Sequence, residues 1–431
     1  MASAGRDLYV FLHGERIGRL VLLRRGTVHL YYDSGRSPSA TPLSLSLPAD
    51  HRERYDVSDW VDGLLPENPR TRARMVRELG AASTAPYDLL CTRAGLECAG
   101  AVQFSPQPSL GESQTETLVK LTVSEVANHL RLISQDAAGD PSEGLGDLRL
   151  SLPGAQPKMA LRLTDDGWHL PTGSLATTHI LKPQRGHLSE RLRNSIAVNE
   201  HLCQAAAASL GLNAARTSLE MFDNEACLVV ERFDREMSGD EVRRLHFEDL
   251  CTAFGVSTAQ KYQEDGGPSP TDIIALLRQE NRDDTSAFFL SVYYNWLIGN
   301  TDGHAKNYGL LLDGPRPLLA PLYDLNSLAP YMNPGTELSR PAMRFGETTP
   351  TTLVQWAQTA ARLGIDLGAD QLEDMADALP EAFESAAAQC PEWASETARN
   401  ICENVVAHAD KEVSGSGGAA GPVNGTRNSV L

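Results

Sequence analysis

The sequence predicts an α+β fold in which a strand-rich half precedes a helical half. Between residues 7 and 230, apolar and β-branched residues repeatedly alternate with polar ones, as in half-buried strands. From Phe247 onward, apolar residues recur roughly every three to four positions, which is the period of amphipathic helices. Strands first and helices afterwards indicate segregated layers rather than an alternating βαβ array.

Composition narrows the class of protein. The 431 residues suffice for two or three domains. No apolar run of about 18 residues predicts a membrane span, and residues 1–7 lack a secretory-signal pattern. The seven cysteines are scattered without paired spacing, so we expect reduced thiols and a cytoplasmic location. With 38 basic against 56 acidic residues, a net charge of −18 predicts weak DNA binding without a basic partner.

The first quarter of the chain, residues 1–106, is predicted to be a small strand-rich subdomain. Its strands are expected at residues 8–12 and 28–32, and a helix is expected at residues 71–79. Residues 107–146 follow as a linker and connecting helix. There Thr122 and Glu125 have the capping-box spacing that starts a helix at residues 125–133.

The rest of the chain divides into a second strand-rich lobe, residues 147–235, and a helical lobe, residues 236–413. The lobe of residues 147–235 has strand-like alternation at 158–182, a helical pattern at 190–210 and a strand at 226–230. Helices of the second lobe are predicted at residues 271–280, 285–298, 351–363 and within 370–413. The Gly/Ser-rich tail, 414–431, is predicted to be disordered.

The strongest chemical signal is Asn-Thr-Asp-Gly-His-Ala-Lys-Asn at residues 300–307, between an apolar helix and a strand. Phosphoryl transfer needs a carboxylate that orients the attacking hydroxyl and an amide oxygen that holds Mg²⁺. Asp302 and Asn307 have the Asp-x₄-Asn spacing of a kinase catalytic loop. Asp324 stands where a second Mg²⁺ ligand is expected. The alternative for the loop is a polar turn between a helix and a strand, and Asp324 could equally be a strand-end or turn residue.

Upstream segments complete a kinase-like order. Residues 152–158 form a tight turn whose backbone could cradle phosphates, or an ordinary turn. Lys182 ends a strand and would bring a cation to the phosphates, with Glu200 on the next helix as its ion-pair partner; surface positions are the alternative. Residues 228–235 read as the hinge that bonds adenine through backbone groups. This order predicts a protein-kinase-like bilobal core behind the added N-terminal subdomain.

Several of these segments resemble the HipA family of bacterial toxin kinases. They are Ser-Leu-Pro-Gly-Ala-Gln-Pro-Lys at 151–158, Val-Val-Glu-Arg-Phe-Asp-Arg at 229–235 and the segment 300–307. The segments Pro-Leu-Ser-Leu-Ser-Leu-Pro at 42–48 and Asp-Gly-Leu-Leu-Pro-Glu-Asn at 62–68 resemble the same family. The resemblance covers residues 6–385.

The resemblance implies a serine/threonine kinase that uses ATP and Mg²⁺. It implies Asp302 as base, Asn307 and Asp324 as metal ligands, and Ser151 as an autophosphorylated serine. The implied nucleotide contacts are Pro153, Gly154, Ala155, Gln156, Pro157, Lys158, Lys182, Glu231, Arg232, Phe233, His304, Ala305, Lys306, Asn307, Tyr323 and Asp324. Pro157 departs from the acidic residue usual there, which stiffens the loop and removes a backbone donor.

Partners are also implied by the resemblance. They are a helix-turn-helix antitoxin like HipB, DNA only through that antitoxin, and a protein substrate such as an aminoacyl-tRNA synthetase, with glutamyl-tRNA synthetase as the known example. Two other functions stay open. The chain could be an antitoxin-binding corepressor with weak or no catalysis, which ATP turnover would distinguish. It could also be a small-molecule kinase, for which labelled phosphate would not enter protein.

Overall fold

The computed structural model describes residues 7–37, 39–49, 54–110, 116–138, 152–184, 196–239, 241–313, 316–332, 338, 340–346 and 349–414. Ser151, the predicted tail from residue 415 and the first part of the helix predicted at 190–210 lie outside these ranges. The chain divides into two compact units. Unit 1 comprises Met1–Gly186, Glu220–Thr258 and Gly309–Pro317, and unit 2 comprises His187–Leu219, Ala259–Tyr308 and Leu318–Leu431.

Strands and helices follow the predicted order, with strands concentrated in the first half. The strands are β1 (Asp7–Leu12), β2 (Glu15–Leu22), β3 (Val28–Tyr32), β4 (Tyr55–Asp56), β5 (Val102–Ser105), β6 (Leu118–Lys120), β7 (Met159–Thr164), β8 (Gly167–Pro171), β9 (His179–Pro183), β10 (Thr217–Phe222), β11 (Glu225–Glu231), β12 (Arg235–Ser238), β13 (Glu241–Arg244), β14 (Phe247–Asp249), β15 (Gly309–Leu311) and β16 (Leu318–Leu319). The helices are α1 (Ser58–Gly63), α2 (Pro69–Leu79), α3 (Pro86–Leu90), α4 (Val123–Ala138), α5 (Ile196–Ser209), α6 (Leu250–Phe254), α7 (Pro270–Glu280), α8 (Asp284–Leu297), α9 (Leu353–Arg362), α10 (Ala369–Ala388) and α11 (Ser395–Val413).

Unit 1 contains two larger antiparallel sheets and the antiparallel pair β12–β13. In the first sheet the neighbours are β4, β3, β2, β1 and β5, and in the second β11, β9, β7, β8 and β6 follow one another. The predicted strands at 8–12 and 28–32 are confirmed as β1 and β3. Buried side chains of both sheets and of α4 form one apolar core. This core includes Leu8, Leu30, Phe104, Leu130 and Leu161.

Local sequence signals explain where the helices of unit 1 begin. Asn68 accepts a hydrogen bond from the Arg70 N–H, and Pro69 occupies the first turn, so α2 starts before the predicted residue 71. The predicted capping box at α4 is present. Thr122 donates its N–H to the Glu125 carboxylate at 2.7 Å, and the Glu125 N–H returns a bond to the Thr122 hydroxyl at 3.3 Å.

Unit 2 is mainly helical, and its core contains a cluster of aromatic side chains. Trp356 of α9 is fully buried and packs against Phe289, Tyr293 and Trp296 of α8 at ring-centroid distances of 5.7, 5.3 and 5.6 Å. Such ring pairs add to the free energy of burying the large side chains. They fix α8, whose C-terminal end leads into residues 300–307. In the described ranges, no helix combines the length and apolar character that a membrane crossing requires.

Candidate active site

The loop at residues 299–308, here the Asp302 loop, is anchored to the end of α8. The Asn300 amide donates to the Asn295 side-chain oxygen at 2.9 Å, and its own oxygen accepts the Asp302 N–H at 3.1 Å. Asn295 in turn donates to the Tyr308 hydroxyl oxygen at 2.6 Å. Because Asn295 bonds near both ends of the loop, the backbone of Asp302 is held in place by the preceding helix.

The side chain of Asp302 contacts a residue that sequence reasoning missed. The Tyr262 hydroxyl donates to Asp302 Oδ1 at 2.7 Å, and the Tyr262 ring meets the His304 ring edge-on at 4.9 Å between centroids. The sequence does indicate a tight turn shortly after Tyr262, at Gly266-Gly267-Pro268, because glycine fits where a residue with a Cβ would clash. A Cβ on Gly267 would overlap the Gln260 carbonyl oxygen.

Asn307 and Asp324 are brought together within unit 2. Asn307 donates its amide N–H to Asp324 Oδ2 at 3.2 Å, while its Oδ1 accepts the His304 N–H at 3.1 Å. Asp324 has a positive φ of 60°. Asp adopts this left-handed conformation more readily than most residues with side chains, and His13 and Asp223 have a positive φ as well. The two side chains therefore lie within hydrogen-bond distance of each other, and their role as metal ligands stays a prediction.

This pair fits a magnesium ion by its chemistry. Mg²⁺ prefers oxygen ligands and is commonly held by one or two carboxylates together with substrate phosphates and waters. Asp324 supplies a carboxylate. Asn307 supplies its side-chain Oδ1, which accepts the His304 N–H and has a second lone pair for a metal. Among the described residues, no three His, Cys, Asp or Glu side chains form a metal-binding group. A site completed by phosphate oxygens does not need such a group.

The remaining residues predicted in this loop are buried and engaged. Burial, with Lys261 nearby, lowers the pKa of His304 to about 3, so the ring is neutral at pH 7. The Ala305 N–H donates to the Lys261 carbonyl at 3.3 Å. Tyr323 donates its hydroxyl to the carbonyl oxygen of the buried Lys306 at 2.8 Å. These bonds hold residues 304–306 in one conformation.

In unit 1, the predicted phosphate loop is a closed turn. Lys158 donates its ammonium to the Pro153 carbonyl at 2.7 Å. Gly154 has a φ of 106°, and its carbonyl accepts the Glu67 N–H at 3.3 Å. Between them, Ala155 is exposed, and Gln156 and Pro157 are partly exposed. The N-terminal segment at residues 62–68 therefore supports the turn, and its contacts with phosphate stay a prediction.

Lys182 and Glu200 are both buried, at 7% and 1% exposure, which is unusual for these residue types. Lys182 lies in β9 opposite Leu228 of β11, within unit 1. Glu200 lies in α5, within unit 2. Because both side chains are buried, neither Lys182 nor Glu200 is a surface residue. The ion pair between them stays a prediction.

The predicted hinge, residues 228–235, also takes part in the packing of unit 1. Glu231 is the last residue of β11, and the Arg232 N–H donates to the Thr178 carbonyl at 2.9 Å. The Phe233 ring packs edge-on against Phe247 at 5.1 Å between centroids. The Arg232 guanidinium is fully engaged inside unit 1, where it pairs with buried carboxylates. That backbone groups of residues 231–233 contact adenine stays a prediction.

A buried charge cluster, here the Glu97 cluster, connects this hinge to the N-terminal part of unit 1. Glu97 has no exposed side-chain surface and pairs with Arg232 at 2.8 Å, Arg235 at 3.2 Å and Arg244 at 2.6 Å. Asp234 completes it at 2.8 Å from Arg232. Burial opposes the charge on Asp234, but Arg232 and Arg235 outweigh it and lower its pKa to about 2.

A strand-rich unit, and a helical unit with an Asp-x₄-Asn loop and a following Asp, define a protein-kinase-like fold. Comparison with known proteins agrees. The HipA-like C-terminal domain model matches residues 150–408, and the HipA N-terminal domain model matches residues 8–105. The chain belongs to the HipA family. The recognition made from residues 151–158, 229–235 and 300–307 is thereby confirmed.

Relatives carry kinase names. The Y4mE protein of Sinorhizobium fredii is 32% identical over 84% of this chain and 87% of its own length. The serine/threonine-protein kinase toxin HipA of Shewanella oneidensis is 30% identical over 71% of each chain. A solved complex of Shewanella oneidensis HipA with HipB and operator DNA contains a chain that superposes with a TM-score of 0.76. That match has 25% identity and covers 95% of this chain and 97% of the other.

Proposed function

We propose that this protein is an ATP- and Mg²⁺-dependent protein serine/threonine kinase that acts as the toxin of a toxin–antitoxin pair. The observation that carries the proposal is the 3.2 Å contact between Asn307 and Asp324, next to a loop that fixes Asp302. These are the side chains a kinase uses to hold the metal and to orient the acceptor. Membership of the HipA family supports the same reaction.

In the proposed reaction, Asp302 accepts the proton of a serine or threonine hydroxyl. The hydroxyl oxygen forms a bond to the γ-phosphorus, and the bond between that phosphorus and the β–γ bridging oxygen breaks, releasing ADP. Bound Mg²⁺ would neutralise charge on the phosphate oxygens. Asn307 and Asp324 would hold it, Lys182 would contact phosphate, and the neutral His304 would line the nucleotide site.

The test of catalysis is phosphoryl transfer from labelled ATP by three variants. Asp302→Asn should lower transfer by about 10²–10⁴-fold with ATP binding retained, because it removes only the base. Asp324→Asn should also weaken Mg-ATP binding. Asp374→Asn, an exposed carboxylate of α10, is the matched control and should behave as wild type. Wild-type activity in both site variants would contradict the kinase assignment.

The proposed substrate is a component of translation, with an aminoacyl-tRNA synthetase, and glutamyl-tRNA synthetase in particular, as the first candidate. Incubation of the kinase with Mg-ATP and each purified synthetase, followed by phosphopeptide mass spectrometry and a tRNA-charging assay, tests this. We expect the wild-type kinase to abolish tRNA charging by one synthetase. The Asp302→Asn variant should leave charging by that synthetase unchanged. Label confined to small molecules would instead indicate a small-molecule kinase.

The proposed partner is a small basic helix-turn-helix antitoxin like HipB. Since the chain carries a net charge of −18, we expect the residues that bind the DNA phosphates to come mainly from the partner. The purified chain alone should not shift operator DNA at physiological salt, whereas the chain with the antitoxin should. A catalytically silent corepressor would show this recruitment but no phosphoryl transfer.

Ser151 is proposed as an autophosphorylation site that switches the kinase off. A phosphate adds about −1.5 to −2 charges beside a turn proposed to hold ATP phosphates, so repulsion should expel the loop or the nucleotide. Mass spectrometry after incubation with Mg-ATP should find phosphate on Ser151 in the wild type but not in Asp302→Asn. Pro157 opposes the loop movement because it stiffens the turn.

A further inference from the structure

We infer that Tyr262 is a positioning residue that orients the Asp302 carboxylate toward the acceptor hydroxyl. The inference rests on the proposed kinase reaction. It starts from one contact in unit 2, the 2.7 Å hydrogen bond that the Tyr262 hydroxyl donates to Asp302 Oδ1. A base must present one oxygen to the incoming hydroxyl, and a donor on the other oxygen fixes which one that is.

The backbone of Asp302 is held independently of this bond. Its N–H donates to Asn300 Oδ1 at 3.1 Å, and its carbonyl accepts the His304 N–H at 2.7 Å. These contacts set the position of Cα and leave rotation about the side-chain torsions to other groups. The terminal torsion of an Asp is broad and roughly two-fold. The Tyr262 hydroxyl is therefore suited to select one orientation of the carboxylate.

Tyr262 is itself fixed, which a positioning residue requires. Its ring lies edge-on to His304, and the Lys261 ammonium lies 5.6 Å from the ring centroid. The carbonyl of Lys261 accepts the Ala305 N–H, so the segment before Tyr262 is bonded to the Asp302 loop itself. After Tyr262, its carbonyl accepts the Gly267 N–H at 2.9 Å, which closes the turn.

A second connection ties the same turn to the loop through residues 342–344. The Gln263 N–H donates to the Ala342 carbonyl at 3.4 Å, and the Ala342 N–H donates to the Thr301 carbonyl at 3.0 Å. Gln263 Oε1 accepts the Arg344 N–H at 2.7 Å. The turn and the Asp302 loop thus form one bonded assembly. Preorganisation of this kind raises the rate because misplacing a reacting group by about 1 Å can cost about 10²-fold.

Steady-state phosphoryl transfer by Tyr262→Phe is the test. The variant keeps the ring against His304 and removes only the hydroxyl. We expect kcat to fall about tenfold, because the Asp302 carboxylate would face the acceptor hydroxyl in only a fraction of the molecules. The KM for ATP should change less than about twofold, because the hydroxyl acts on the acceptor side. Tyr293→Phe is the control, since it removes a tyrosine hydroxyl that donates to the Leu372 carbonyl at 3.0 Å in the same unit.

A wild-type kcat in Tyr262→Phe would overturn the inference. An increased kcat would overturn it as well, because the hydroxyl would then occupy the acceptor's place on the base. If the wild-type protein transfers no phosphate to any acceptor, the proposed function fails instead. Crystal structures of the wild type and Tyr262→Phe then decide the inference separately. A rotated Asp302 carboxylate in the variant supports it, and an unchanged carboxylate overturns it.

Discussion

At the scale of single residues, Gly299 shows how tightly the Asp302 loop is packed. Its φ is 67°, and its carbonyl accepts the Leu328 N–H at 3.1 Å. A Cβ at this position would lie 2.8 Å from Leu338 Cδ1 and 3.0 Å from the His408 ring. His408 belongs to α11. Helix α11 therefore limits the space available three residues before the proposed base.

We expect Gly299→Ala to destabilise the protein and to lower phosphoryl transfer. Gly364→Ala is the control, because Gly364 has a similar φ of 61° but its nearest foreign atom lies 3.7 Å from a Cβ. Both variants bear the backbone strain of about 1–2 kcal/mol. Only Gly299→Ala should add an overpacking cost of about 1–3 kcal/mol. Urea unfolding measures the difference, and equal midpoints for the two variants would contradict it.

At the scale of elements, β14 binds a loop of the N-terminal part of unit 1. Glu248 Oε1 accepts the Leu45 N–H at 3.0 Å, and His246, just before β14, bonds through Nε2 to the Leu43 carbonyl at 3.0 Å. Glu248 is buried at 4% exposure. Burial raises the pKa of its carboxyl to about 8, although bonds from Ser44 and Leu45 oppose the shift.

This raised pKa predicts a pH dependence with a definite sign. A carboxyl whose folded pKa exceeds its unfolded value contributes stability below the unfolded pKa, and that contribution is lost as pH rises through about 8. Glu248→Gln cannot titrate, so the wild type should lose about 2–4 kcal/mol relative to it between pH 5 and 9. Urea midpoints at both pH values test this, with exposed Glu403→Gln as control. Parallel pH profiles would contradict it.

At the scale of the whole molecule, the Glu97 cluster joins segments that match separate family domains. Glu97 lies in the N-terminal match at residues 8–105, and its three arginines lie in the C-terminal match at residues 150–408. All these residues belong to unit 1. Removing one member of a buried ion network leaves the others uncompensated. The N-terminal part is therefore a structural component of the lobe that holds β9 and β11.

We expect Glu97→Ala to destabilise the protein by about 3–5 kcal/mol. Asp33→Ala is the control, because its pair with Arg16 is exposed at 39% and 43% and should cost at most about 1 kcal/mol. Chemical denaturation of both variants measures the difference. A Glu97→Ala protein as stable as Asp33→Ala would show that the cluster contributes little.

The sequence by itself determined what depends on near neighbours along the chain. Whether a segment forms a helix or a strand follows from the spacing of its apolar residues. The start of α4 follows from Thr122 and Glu125, because the two residues of a capping box bond within one turn. The spacing of Asp302 and Asn307 is local in the same sense, and their roles in catalysis stay a prediction. Only the tertiary structure decided the contact of Tyr262 with Asp302, across 40 residues, and of Glu97 with Arg232, across 135. Such contacts depend on how whole elements pack, and no local period of the sequence encodes them.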